Sequence, residues 1–322
     1  MPYVSFPQNA IVRSQAQWIL ARTTLLLAQH KYADAIKNQT KGLLLARLAE
    51  QRHPTMISLL VSHAVYHLSL KGMQKILHIG RKVPGIGAAV AQAIEHSPLL
   101  STMSHIIPAE TLFGLSAIQG IREEAHKGEK PFEPLEWGEV KIAWKQYGYD
   151  TTDKREADRA CDNNEAHFLQ AMRIAYKSLR LPYYQRSPSD IKAIADMKRQ
   201  SSSPDYSIAT FCLSSTEGAG HYARTLANRA VTITFARVMA WQQQKKHLPN
   251  SLKEVLPHVP VDPFDGKPLR YRKEGDDFVV YSVGESLKYD GKSAKVKEIA
   301  LHYYATKAMM QLKRIDGRPR SK

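Results

Sequence analysis

At 322 residues and 43% hydrophobic composition, the chain is long enough to bury a substantial core, and it predicts one large domain with a smaller appendage. Its 46 Lys and Arg against 30 Asp and Glu leave a formal net charge of +16, which favours acidic or polyanionic partner surfaces. Cys161 and Cys212 have no neighbouring Cys or His at ligand spacing, so they read as reduced thiols and not as a zinc site.

The helical period sets in at Asn9 and runs to about Leu77 through Ile19, Leu20, Leu26 and Leu27, then Leu43, Leu44, Leu45 and Leu48, then Ile57, Leu59, Leu60 and Val61. These spacings predict three antiparallel helices. The apolar run 18–28 is broken by Arg22 and falls short of the roughly 20 residues a bilayer span needs, so no transmembrane segment is expected. Taken literally the chain is cytoplasmic; it is envelope-associated if an upstream anchor is missing from it. Residues 84–126 predict further helices, with Pro98 and Pro108 at or near helix starts. Residues 127–150, rich in Gly and Pro with Trp137 and Trp144 between them, predict an ordered aromatic loop. Helices are expected over 156–179, in part over 180–204, and over 220–247.

After a short helix at 251–256 the period changes to two. Leu269, Tyr271 and Lys273 alternate with Arg270 and Arg272, Gly275-Asp276-Asp277 supplies a turn, and 278–283 returns as the second strand of a β-hairpin. A last amphipathic helix is expected over 294–314, before a frayed tail. Residues 288–322 carry ten basic and three acidic side chains.

Leu248-Pro-Asn-Ser-Leu252, Val261-Asp-Pro-Phe-Asp-Gly-Lys-Pro-Leu-Arg-Tyr271 and Tyr281-Ser-Val-Gly284 together resemble the C-terminal half of type II secretion major pseudopilins. They also resemble uncharacterised bacterial helical proteins that carry this module after a helical domain. Tyr32-Ala-Asp-Ala-Ile36 and Leu43-Leu-Leu-Ala-Arg-Leu48 extend that second likeness. The resemblance implies the cell envelope, and it implies calcium ligands in the loop after the hairpin. Here Glu285 and Asp290 are the acidic residues of that loop, and Lys288 and Lys292 oppose a cation that wants six to eight oxygens. Lys31-Tyr-Ala-Asp-Ala-Ile36 is similar to the turn of one tetratricopeptide unit, without a second copy at the period of about 34 residues.

Four residues stand out as candidate phosphate or DNA contacts: Arg81, Lys82, Gly85 and Gly87. Gly80-Arg-Lys-Val-Pro-Gly-Ile-Gly87 resembles a helix-hairpin-helix turn, in which backbone N–H groups at a helix start bind phosphate. A helix break inside the bundle accounts for the same letters. His63 and His67 share a helix face at metal-ligand spacing, yet no Glu accompanies them, so hydrogen-bonded histidines are the better reading. Asp158, Asp162 and Glu165 share a face near His167, and Lys154, Arg155 and Arg159 predict ordinary ion pairs for them. No Gly-x-Ser-x-Gly elbow or phosphate-loop Lys-Ser/Thr is present, so neither a catalytic residue nor a cofactor is expected.

The sequence therefore predicts a mainly α fold: an antiparallel helical-hairpin bundle, tetratricopeptide-like in part, over residues 1–215. A small α/β pseudopilin-like module follows over 216–292, then a C-terminal helix and basic tail over 293–322. The expected role is a non-enzymatic interaction or scaffold protein with an unknown protein partner, near the bacterial envelope or a secretion-type assembly. The alternative is a nucleic-acid-binding protein.

Overall fold

The computed structural model describes residues 7–52, 55–127, 153–199, 219–287 and 299–303. The protein is mainly helical, with one small antiparallel sheet. Helices α1 (Pro7–Ala28), α2 (Tyr32–Arg52), α3 (Met56–Ile79), α4 (Ile86–Glu95), α5 (Ile107–Lys127), α6 (Lys154–Leu179), α7 (Pro188–Arg199), α8 (Ala219–Lys245) and α9 (Leu252–Val255) precede strands β1 (Arg270–Glu274), β2 (Asp277–Tyr281) and β3 (Ala300–Tyr303). They form two compact units that interleave along the chain: Met1–Ala10, Glu50–Leu60 and Ser101–Ala219 in one, Ile11–Ala49, Val61–Leu100 and Gly220–Lys322 in the other. Residues 1–215, read from sequence as one helical domain, contribute to both.

In the second unit α1, α2 and α3 run antiparallel, as the sequence predicts. His30 takes the left-handed conformation at φ 58°, and the Lys31 N–H reaches back to Leu26 O at 2.9 Å, which closes α1 and reverses the chain. The Asn38 amide donates to Ile19 O at 2.7 Å and to Thr23 Oγ1 at 2.9 Å, while Gln39 Nε2 donates to the same hydroxyl at 2.7 Å, tying α2 to α1 through buried polar groups. A Cβ on Gly72 would lie 2.2 Å from Gln39 Cδ, so this glycine is what lets α2 and α3 meet there. Val65, Tyr66, Leu70, Met73, Ile76 and Leu77 of α3 are fully buried, at the three- and four-residue spacing of a core face. On α8, Ala227, Val231, Phe235 and Val238 bury the corresponding stripe.

The sheet has the order β1-β2-β3. A two-residue turn with Gly275 at φ 63° joins β1 to β2 and sets the register Arg270↔Tyr281 through Glu274↔Asp277. Phe278, Val279 and Val280 are all buried, and the Phe278 ring lies 5.0 Å from that of Phe235, so the sheet packs on α8.

Strand β3 corrects a sequence expectation: residues 300–303 fall inside the predicted amphipathic helix over 294–314, yet pair with β2 from Phe278↔Tyr303 to Tyr281↔Ala300. The hairpin leaves one edge of β2 with unpaired N–H and C=O groups, and an alternating stretch with Ile299 and Leu301 buried satisfies them. The remainder of that predicted helix, the tail, residues 128–150 of the aromatic loop, Cys212 and residues 288–292 lie outside the described residues.

In the first unit, α5 and α6 pack together, with Gly114 seated against the Phe168 ring. Asp153 caps α6 by accepting from the Arg155 N–H at 2.8 Å, and a stripe from Ala157 to Leu179 is buried. Pro108 sits in the first turn of α5, where no helical N–H is lost. Pro98, in contrast, follows the end of α4, as a residue that cannot continue a helix.

Candidate functional site

The turn between α3 and α4 carries three of the four phosphate-contact candidates, and the fourth, Gly87, lies in the first turn of α4. Gly85 precedes α4 in the left-handed region at φ 76°, and its N–H donates to Gln243 Oε1 at 3.0 Å. Gln243 also donates through Nε2 to Arg81 O at 3.1 Å and to Val83 O at 3.0 Å, so one α8 amide side chain clamps the whole turn. The Ile86 N–H is bound to Val83 O at 3.3 Å. A Cβ on Gly87 would lie 2.4 Å from Ala236 O and 2.9 Å from Ala240 N, which places this glycine where the backbones of α4 and α8 touch. Arg81 folds back on His78 O at 3.3 Å, and Lys82 is exposed. Both glycines thus have tertiary reasons that a sequence pattern does not carry.

His63 is 4% exposed, with Nδ1 at 2.8 Å from Thr225 Oγ1 and its ring edge-on to Tyr222 at 5.7 Å. Burial, reinforced by His221, lowers its pKa to about 4, and burial together with Lys71 and Arg224 does the same to His67. Both imidazoles are therefore held neutral at pH 7. Beside them Arg229 donates from Nε to the Tyr66 hydroxyl at 3.1 Å and from Nη2 to Ile94 O at 2.8 Å, joining α3, α4 and α8. Among the described residues no group of three or more His, Cys, Asp or Glu is arranged to hold a metal ion.

Asp158 and Asp162 find partners on the neighbouring helix. Arg122 on α5 lies 2.7 Å from Asp162 and 3.7 Å from Glu165, and His126 lies 2.8 Å from Asp158. The residues that sequence proximity nominated, Lys154, Arg155 and Arg159, sit on the same helix as the carboxylates; α5 is brought alongside only by folding. Cys161, buried on α6, has its thiol pushed up to about 11 by burial, with Arg122 opposing.

The Pro260–Gly284 signature centres on Asp262, which has no exposed surface. Its Oδ1 accepts from the Phe264 N–H at 3.1 Å and the Ser282 hydroxyl at 2.9 Å; its Oδ2 accepts from the Val283 N–H at 2.8 Å and Arg270 Nη1 at 2.8 Å. Arg270 reaches Asp265 as well, fastening the Asp-Gly turn to the strand. In the adjoining loop, Glu285 is paired with Arg224 at 3.0 Å. The sequence located this segment, but as turns and strands; that Asp262 is its buried hub follows only from the packing of Ser282 and Val283 against it.

Among the described residues, apolar side chains stay open on several helices, two surfaces of which are extended. Thr40 and Leu44 of α2 face Ala89, Gln92 and Ala93 of α4, with His96 and Ser97 beyond, around a groove of about 450 Å³. On α1, Ile11, Trp18 and Leu25 are 58%, 76% and 58% exposed. Sequence reasoning took α1 from its inward leucines and missed the seven-residue spacing of these three. No described helix is long and apolar enough to cross a membrane. Comparison of the chain with protein-family models, curated proteins and solved structures finds no match.

Proposed function

We propose that the chain is a non-enzymatic interaction protein that takes a protein partner on the surfaces of its helices. The observation that carries this reading is the groove between α2 and α4, where Leu44 remains 44% exposed beside Ala89 and Ala93. Small residues on α4 leave room for incoming side chains. An amphipathic helix with large apolar residues at i, i+3 or i+4 and i+7 fits such a groove, and Gln92, His96 and Thr40 offer polar contacts at its rim.

Three buried ionisable groups support the same reading, because each makes a bond that serves the fold. Glu50 accepts the Ser101 N–H at 2.8 Å, Glu110 accepts the Met56 N–H at the start of α3, and His63 is engaged with Thr225. We further propose that the module read over residues 216–292 is pseudopilin-like and that 31–36 is a tetratricopeptide-like turn, and that the protein works at the cell envelope or a secretion-type assembly. Supporting this are the long helix α8, the Asp-Pro turn and the hairpin in that order. The nucleic-acid reading is weaker, since its Gly85 N–H would have to be taken from Gln243.

A photo-crosslinking residue at Gln92 in the full chain, expressed in cells, tests the proposal. A discrete protein adduct is expected, lost when Leu44→Asp and Ala93→Arg are added. Adducts indifferent to those changes, or purified protein that turns over a hydrolase or transferase substrate and loses this through one substitution, would overturn it.

A further inference from the structure

The outward face of α1 carries more than three scattered apolar residues. Ile11, Ser14, Trp18, Ala21, Leu25 and Ala28 are all exposed, at alternating spacings of three and four, while Ala16, Thr23 and Leu27 point into the second unit. One helix thus has an inner seam that its own fold uses and an outer seam with the a/d pattern of a coiled coil. In the outer seam every a position is large (Ile11, Trp18, Leu25) and every d position is small (Ser14, Ala21, Ala28).

From this geometry we infer that the outer seam of α1 pairs with the same seam of a second copy of this chain, antiparallel and about a two-fold axis. In an antiparallel pair, a positions lie opposite d positions. A two-fold axis beside residues 19 and 20 sets Ile11 against Ala28, Trp18 against Ala21 and Leu25 against Ser14 of the second copy, so each layer joins one large and one small side chain. A two-fold contact requires a patch complementary to itself, and this seam meets that requirement in all its layers. Gln15 then neighbours Arg22 of the other copy and Gln17 neighbours Thr24, so no two charges of α1 itself face each other; α1 has no acidic residue, Arg13 lies off the seam, and Lys75 is held by Thr24 at its flank.

The area is adequate. Trp18 alone, at 76% exposure, offers on the order of 200 Å². With Ile11, Leu25 and the flanking stems from both copies, the total reaches about 1,000 Å², the lower bound for a specific interface. Because α1 is already held by its inner seam, pairing does not have to order a helix, which removes a large part of the usual association cost. A lipid surface is the competing occupant, since Trp18 lies between two arginines. The alternation of large and small residues has no function against lipid, whereas an antiparallel helix requires it.

Analytical ultracentrifugation of the full chain should show a species of twice 36.3 kDa at high concentration. Leu25→Glu, and separately Ala21→Leu on the small side, should each weaken the dimer by more than about tenfold with an unchanged thermal melt, since both positions are exposed in the monomer. Oxidising a Ser14→Cys/Leu25→Cys chain should give a covalent dimer. Ser14→Cys alone should not, because its two copies stand about 16 Å apart at 1.5 Å per residue. A monomer at all concentrations, a dimer indifferent to Leu25→Glu, efficient cross-linking by Ser14→Cys alone, or a monomer that binds anionic vesicles through Trp18 would each overturn the inference. Loss of the dimer would leave the α2–α4 groove reading standing, since its cross-link is read separately.

Discussion

Arg270 and Asp262 form the central ion pair of the C-terminal module, with Nη1 2.8 Å from Oδ2 of a carboxylate that has no exposed surface. The other acceptor positions of Asp262 are filled by two backbone N–H groups and the Ser282 hydroxyl, so the charge is stabilised by four donors and strands β1 and β2 are joined to the Asp-Pro turn through one side chain.

Asp262→Ala removes the acceptor for all four, leaving two buried amides and the buried Ser282 hydroxyl without this partner, while Arg270 keeps Asp265. Leaving a buried donor unsatisfied costs roughly 1–3 kcal/mol. Urea unfolding should show a midpoint reduced accordingly. Asp265→Ala, at a half-buried site, should cost distinctly less; equal losses for the two would refute the ranking.

The two glycines of the α3–α4 turn should respond differently to alanine. At Gly85 an added Cβ meets nothing within 4 Å, so the cost is the left-handed backbone alone, about 1 kcal/mol. At Gly87 the Cβ runs into Ala236 O, and separating α4 from α8 should cost about 1–3 kcal/mol. Thermal melts of the two variants check this, and Gly87→Ala should be the lower. Gln243→Ala, which unclamps the turn, should also destabilise.

His63 and His67 predict acid sensitivity. Both have pKa values near 4 when folded, against 6.5 when exposed, so the unfolded chain binds protons first as pH falls. Stability is therefore complete above about pH 6.5 and declines between 6.5 and 4, levelling off below, with at most about 3 kcal/mol from His63. His63→Leu should flatten a large part of this slope in urea midpoints measured from pH 7 to 4. A slope unchanged in that variant would show that other groups carry it.

Cys161 should be inert in the native protein. Its thiol is buried and pushed up to about 11, leaving almost no thiolate at pH 8. Peptide mapping after iodoacetamide should find Cys161 alkylated at least a hundredfold faster in urea than in buffer. Comparable rates in both would mean that α6 opens readily from α5.

The antiparallel α1–α2–α3 arrangement, the α6 and α8 helices and the hairpin were legible because each depends on local periodicity and turn chemistry: apolar residues every three or four positions, and Gly275 between two alternating segments. A hydrogen-bonded His63 was open to the sequence, but its partner Thr225, 162 residues on, was not. Strand β3 was misread because Ile299 to Tyr303 has the apolar spacing of a helix end as well as of a strand, and only the open edge of β2 chooses between them. That carboxylates of α6 are ion-paired was legible; that Arg122 of α5 is a partner was not, since α5 has no sequence relation to them.

By itself the sequence determined where the helices and the hairpin lie and which turns join them, because those choices are made within a few residues by backbone sterics and hydrogen-bond spacing. It also marked residues 79–87 and 260–284 as special. How those segments are held in place was decided by tertiary structure alone. Gln243, more than 150 residues away, occupies the turn N–H that a phosphate would need, and Ser282 and Val283 turn Asp262 into a buried hub. The same holds for α1, whose sequence offers apolar residues on both sides. Only packing, by burying Ala16, Thr23 and Leu27, leaves Ile11, Trp18 and Leu25 in water with a face still to be covered.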